Sequence, residues 1–332
     1  MRNVRPVRML VALAAGAALV TGCTGGSTSG PEPKAGTSTS AAAPAPVIDQ
    51  DFPDPDVLKV GSTYYAYATQ PKDGSSNISM ATSPDLTTWT VSPKDPLPTL
   101  PSWATNGRTW APDVSAVAGG YVMYFTAHSV DPDLQCIGVA RAARPEGPFA
   151  PVGSKPLVCP AADGGAIDPA SFTDTDGSRY LVWKNDGNCC GKDTWLHLQA
   201  VSADGLRTTG PARRLIKQDQ PWEGNLIEAP TLVRHSSSYL LFYSANDYAG
   251  EHYATGYATA QRLTGPYVKA AAPLLTTDGT GVTGPGGQDI VSEPSGATHI
   301  VFHGWDPAVI YRGMYVEELA WKGDVPVPRP AP

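Results

Sequence analysis

Phe52-Pro53-Asp54-Pro55-Asp56-Val57, followed shortly by Thr63-Tyr64-Tyr65-Ala66-Tyr67, is the phrase on which the fold turns. It returns as Ala111-Pro112-Asp113 before Tyr121-Val122-Met123-Tyr124-Phe125, and as Asp168-Pro169 before Arg179-Tyr180-Leu181-Val182-Trp183. It returns again as Glu228-Ala229-Pro230 before Tyr239-Leu240-Leu241-Phe242-Tyr243. A weaker copy is Gly286-Gly287-Gln288-Asp289 before His299-Ile300-Val301-Phe302-His303. The spacing is roughly 59 residues, and a period that long with β content points to propeller blades.

The second half of each repeat also recurs. Ile78-Ser79-Met80-Ala81-Thr82-Ser83 matches Ile137-Gly138-Val139-Ala140-Arg141-Ala142 and Thr255-Gly256-Tyr257-Ala258-Thr259-Ala260, with His197-Leu198-Gln199-Ala200 a fainter copy. Each repeat then holds an inner strand, an aromatic strand, a small-residue strand and an outer strand. The expected class is all-β, a five-bladed β-propeller with four antiparallel strands per blade. Tyr65, Phe125 and Phe242 are expected to fill the interfaces between blades. Proline lacks a donor and belongs at strand starts, so each acid-proline pair marks the start of an inner strand near the channel mouth. The residue before proline is expected to be extended.

Both ends and the composition limit the function classes. Arg2, Arg5 and Arg8 precede an apolar run from Met9 to Val20, too short for a stable span. It ends in Val20-Thr21-Gly22-Cys23, similar to a bacterial lipobox. The expectation is a lipoprotein signal peptide over 1–22, lipid attachment at Cys23 and a flexible Gly/Ser/Thr/Pro tether over 23–46. A plain secretory signal with a chance cysteine is the blander reading. Residues 47–332 are expected to form one propeller domain. The net charge of −7, with no basic cluster, argues against nucleic acid. Cys136, Cys159, Cys189 and Cys190 remain, and four cysteines allow three pairings. One is Cys136 with Cys159 plus a vicinal Cys189–Cys190 bridge. Their spacing does not suit zinc.

Asp54, Asp168 and Glu228 fall at one phase of the repeat and are expected to converge on one end of a central funnel. Crowded carboxylates separate their pKa values, which supplies an acid and a base at one pH. Glycoside hydrolysis needs such a pair. Asp56 and Glu223 are the nearest competitors, and Glu223 is expected at the rim. Trp103, Trp110, Trp222 and Tyr248 fall near the expected mouth, where aromatic rings can stack on sugars.

With these motifs the chain resembles glycoside hydrolase family 43, whose members include arabinanases, arabinofuranosidases and β-xylosidases. The resemblance covers nearly all of 47–325. It implies an inverting hydrolase of plant polysaccharide with Asp54 as base, Asp168 as pKa modulator and Glu228 as acid. Trp110-Ala111-Pro112-Asp113-Val114 resembles a segment that shapes the sugar pocket. Tyr311-Arg312-Gly313-Met314-Tyr315 resembles one whose arginine, here Arg312, contacts substrate. Ser83-Pro84-Asp85-Leu86-Thr87-Thr88-Trp89 resembles a structural phrase. Many members carry Gly-Pro-Gly-His in the fifth blade, with the histidine near a channel metal. Here that position is Gly287, followed by Gln288, which is kept as a pocket candidate. No cofactor is required on this reading, and calcium or sodium held by water and other oxygens is compatible with the channel. His303 is expected to be a packed, satisfied histidine. The partner is a polysaccharide or oligosaccharide substrate. The membrane is reached only through a lipid on Cys23, and the protein is expected to be an exported monomer. The rival class is a non-catalytic carbohydrate-binding propeller lipoprotein, since propellers host many functions. Sucrose- or fructan-directed enzymes are disfavoured by the absence of an Arg-Asp-Pro phrase in the third blade.

Overall fold

Five four-stranded antiparallel sheets, each an up-and-down meander, succeed one another along the chain. The computed structural model describes residues 44–293 and 295–329. The expected leader, Cys23 and most of the expected tether lie outside the described residues. Blade one is β1 (Asp56–Val60), β2 (Thr63–Ala68), β3 (Ser79–Ser83) and β4 (Thr90–Val91). Blade two is β5 (Ala104–Val117), β6 (Gly120–Ser129), β7 (Leu134–Ala142) and β8 (Ala150–Pro151). Blade three is β9 (Ala166–Thr173), β10 (Arg179–Asn185), β11 (Trp195–Val201) and β12 (Arg213–Lys217). Blade four is β13 (Ile227–His235), β14 (Ser238–Ala245), β15 (Ala254–Ala260) and β16 (Val268–Lys269). Blade five is β17 (Thr283–Ser292), β18 (Thr298–Trp305), β19 (Arg312–Lys322) and β20 (Val325–Arg329).

The aromatic strands bury their rings between sheets, as the sequence predicts. Tyr67, Phe125, Phe242 and Phe302 are fully buried, and Tyr65 packs against the cluster around Phe125. Apolar clusters fill the interfaces between consecutive blades and between the last blade and the first. Burial of this kind, at about 25 cal/mol per Å² of apolar area, is the main force holding blade to blade. The ring closes through the N-terminal segment. The Val47 N–H donates to the Met314 carbonyl and the Phe52 N–H to that of Arg312, so residues 47–52 lie beside the first half of β19. Cys136 is bonded to Cys159 and Cys189 to Cys190.

The inner strands depart from expectation at the prolines. In each blade the X-Pro dipeptide, or Gly287-Gln288 in blade five, forms a β-bulge, two residues opposite one on the second strand. Asp168 and Pro169 face only Trp183, between the pairs Val182↔Ala170 and Lys184↔Ile167. Ala111-Pro112, Ala229-Pro230 and Gly287-Gln288 repeat this against Phe125, Tyr243 and Phe302. The first bulge residue is left-handed rather than extended: φ is 54° at Asp54, 40° at Ala111, 52° at Asp168, 47° at Ala229 and 57° at Gly287. The bulge requires this conformation and overrides the local preference before proline. Such strain costs of order 1–3 kcal/mol per non-glycine residue and collects at functional sites.

The bulges also correct the phase of the acids. Asp54 and Asp168 occupy the left-handed position, but in blade four that position is Ala229. Glu228 sits one residue earlier, paired with Ser244 and in phase with Trp110 and Ile167.

Candidate active site

At one end of the channel a cavity of about 640 Å³ is lined by Asp54, Trp110, Asp168, Lys184, Glu228 and Arg312, among others. The three expected carboxylates therefore meet, carried by three different blades. Their surroundings differ. Asp54 Oδ2 accepts from the Thr69 hydroxyl at 2.7 Å, and its Oδ1 lies 3.6 Å from the Arg312 guanidinium. Burial alone would push this carboxyl up, but Arg312, joined by Thr69, outweighs it and holds Asp54 well below the usual carboxylate range. Asp168 goes the other way. Burial and the neighbouring Glu228 push it up to about 8, against the pull of Lys184. Glu228 accepts from Tyr253 Oη at 2.9 Å on Oε1 and from Lys184 Nζ at 3.1 Å on Oε2.

Arg312 spans the far wall, its guanidinium 5.0 Å from the Tyr248 ring and 5.8 Å from that of Trp305. Tyr248 is half exposed at the mouth, where the sequence expects it. Three other expected contacts lie elsewhere. Trp103 is buried in the core between blades one and two, over Gly138 and Phe125. Trp222 packs over Gly256 and stacks on Tyr243 at 5.8 Å, lining a separate cavity. Both indoles fill space opened by a glycine on the third strand, and apolar packing wins over display at the mouth. Gln288 is buried beneath the pocket: its amide accepts from Ser244 Oγ at 2.8 Å and donates to the Ala229 carbonyl at 2.6 Å. Glu223 is not at the rim but fully buried, accepting from Lys269 Nζ and Tyr243 Oη.

Asp56 faces a second, axial cavity of about 40 Å³, which it lines with Asp113 and Asp289. Each of these three acids accepts a backbone N–H from the next blade: Asp56 from Val114, Asp113 from Ser171, and Asp289 from Val57. They tie blades together and lie outside the larger cavity. Burial pushes Asp113 and Asp289 up to about 6, and Asp56, with both of them beside it, well above its ordinary value.

Further residues complete the site, among them His303, which is fully buried and hydrogen-bonded as the sequence leads one to expect. A Cβ on Gly287 would collide with the ring of His303, which reaches from β18 to lie between Gly287 and Asp54. His303 accepts the Asp54 N–H on Nδ1 at 3.0 Å, and its Nε2 is 3.3 Å from Arg312. Burial and Arg312 lower its pKa, so the ring is neutral beneath Asp54. As a neutral ring whose Nδ1 accepts from the backbone, this histidine carries its proton on Nε2 and has no lone pair left for a channel ion. Among the described residues no group of three or more His, Cys, Asp or Glu is placed to hold a metal. Lys184 and Asp186, from the end of β10, are the other additions, 3.7 Å apart. In the sequence they stand in Trp183-Lys184-Asn185-Asp186, just after an aromatic run, with nothing local to set them apart.

Glycosyl hydrolases family 43 matches residues 43–326. A β-D-galactofuranosidase of Aspergillus niger is 28% identical over 296 residues, 86% of this chain and 80% of that protein. The extracellular endo-α-(1→5)-L-arabinanase 1 of Bacillus subtilis is 28% identical over 283 residues, 78% of this chain and 84% of that protein. A solved thermostable family-43 glycoside hydrolase superposes with a TM-score of 0.77 at 27% identity, covering 88% of this chain and 98% of that one.

Proposed function

The chain belongs to glycosyl hydrolases family 43, and from that premise we propose an inverting hydrolase of α-L-arabinofuranosyl or β-D-xylosyl linkages in plant polysaccharide or oligosaccharides. The observation that carries the assignment of roles is the opposite electrostatic treatment of two aspartates in one pocket. Asp54 is kept ionised by Arg312 and Thr69, as a general base must be. It would take a proton from a water on one face of the sugar. Burial and the neighbouring Glu228 keep a proton on Asp168 up to about pH 8. Glu228 would deliver it to the leaving oxygen, with Asp168 holding that proton in reserve. Trp110 and Tyr248 offer apolar faces to the sugar, and Arg312 offers donors to its hydroxyls. No step needs a metal.

The galactofuranosidase relative favours adding β-D-galactofuranosides to the substrates tried. The leader and Cys23 support export with a lipid anchor ahead of a single catalytic domain. The test of function is hydrolysis of nitrophenyl α-L-arabinofuranoside, β-D-xyloside and β-D-galactofuranoside, and of debranched arabinan, by wild type, Asp54→Asn and Glu228→Gln. Each variant is expected to fold and to lose activity about 10²–10⁴-fold. Near-normal turnover by either would remove that residue from its role.

A further inference from the structure

The five blades share a second ring of side chains, and one member breaks it. On the second strand, opposite the residue before each bulge, stand Thr69, Thr126, Lys184, Ser244 and His303. Four of these accept the N–H of the left-handed bulge residue of the next blade in the ring. Thr69 Oγ1 accepts from Ala111 at 2.8 Å and Thr126 Oγ1 from Asp168 at 3.0 Å. Ser244 Oγ accepts from Gly287 at 2.8 Å and His303 Nδ1 from Asp54 at 3.0 Å. In blade three the position is Lys184, and an ammonium has no lone pair to offer. The Ala229 N–H turns instead to Asp168 Oδ2 at 3.0 Å. Lys184 passes it by and reaches Glu228 Oε2 at 3.1 Å and Asp186 Oδ1 at 3.7 Å, with none of its side chain exposed.

We propose that Lys184 is a positioning residue that fixes the proton of the Asp168–Glu228 pair, by placing a buried positive charge against Glu228 and by handing the Ala229 N–H to Asp168. The inference rests on the acid role proposed for Glu228. A buried lysine is costly unless paired, and this one replaces a hydroxyl that would satisfy the ring at no such cost. Burial would pull the ammonium down, but Glu228, Asp168 and Asp186 more than offset that, so it remains charged. The groups facing it are Glu228 on β13, Asp168 on β9 and Asp186 after β10. Tyr253 on β15 donates to the other Glu228 oxygen, and Asp54 and Arg312 lie across the pocket. A positive charge this close weakens proton binding by the pair. It therefore sets how far into alkali the acid stays loaded. With Oδ2 of Asp168 taken by the Ala229 N–H, Oδ1 is left to carry a proton.

The test uses Lys184→Met, which removes the charge, Lys184→Thr, which restores the hydroxyl acceptor of the other blades, and Lys184→Arg, which keeps a cation. Carboxyl titration is followed by ¹³C NMR on full-length protein labelled at Asp and Glu, with Glu228→Gln and Asp168→Asn identifying the signals. Kinetics are run in parallel. Methionine and threonine are each expected to move the pair's titration, and the alkaline limb of kcat/KM, up by about 1–3 pH units. Arginine should leave both near wild type. An unmoved titration in a folded Lys184→Thr would overturn the proposal, as would recovery of wild-type kinetics in that variant, which would mark Lys184 as ring scaffolding only. If the wild type turns over none of the glycosides, the functional reading fails, while the titration still decides the role of Lys184.

Discussion

At the scale of the residue, the site depends on carboxylates of one chemical type held in unlike surroundings. Asp54 meets a guanidinium and a hydroxyl; Asp168 meets burial and another acid. The sign of the pH dependence follows. Asp54 is depressed, so it is ionised throughout the neutral and mildly acidic range and does not limit the rate there. Asp168 is raised, so activity is expected to fall as it loses its proton near pH 8. Asp168→Asn removes the repulsion that retains the proton. It should lower kcat and move the alkaline limb down by about one unit or more, read from a kcat/KM profile between pH 4 and pH 10. An unmoved limb would take Asp168 out of the acid pair.

At the scale of the element, the bulge is the device that builds the site. It turns the first residue of each X-Pro step into a left-handed conformation and aims it at the axis, and a hydrogen bond from the preceding blade holds it there. Four blades tolerate Asp or Ala at that position; blade five has Gly287 for a different reason. Its φ of 57° resembles the others, but the space for a Cβ is taken by His303. Gly287→Ala should therefore behave unlike an ordinary left-handed glycine. It should push His303 from beneath Asp54, destabilise the fold by about 1–3 kcal/mol through overpacking and lower kcat more than tenfold. Thermal unfolding and kinetics of the variant check both halves, and a variant with normal kcat would show that His303 does not support the base. The aromatic strands and X-Pro steps were legible in the sequence because they are local: a few adjacent residues specify each one. Trp103 and Trp222 were misplaced because their true partners, Gly138 and Gly256 on third strands, lie more than thirty residues away and reveal themselves only as a gap. Lys184 was missed because it is the member that fails to accept an N–H, which is visible only when the ring of second-strand residues is aligned by its pairing.

At the scale of the whole molecule, the axis is held by carboxylates that lie outside the larger cavity. Asp113 and Asp289 each bind a neighbouring blade and each has its pKa raised to about 6 by burial. Between their ordinary value of 3.8 and about 6 the folded chain holds protons that the unfolded chain releases. The stability they contribute is thus complete below the ordinary value and lost as pH rises through about 6. Asp113→Asn keeps an acceptor for Ser171 and removes the charge. It should raise Tm at pH 8 by about 2–4 °C and leave it nearly unchanged at pH 4; a fall at both would mean that the carboxylate itself holds the blades. Five blades and three converging acids followed from the repeat, while the division of labour among those acids needed the environment that each blade supplies. That division makes a single displacement the central claim, because in the proposed roles Asp54 acts on water and never on the sugar. The direct measurement is ¹H NMR of the first-formed sugar during wild-type hydrolysis of whichever nitrophenyl glycoside is turned over. The anomeric configuration should be inverted relative to the substrate before mutarotation sets in; a retained configuration would make Asp54 a nucleophile and contradict the account.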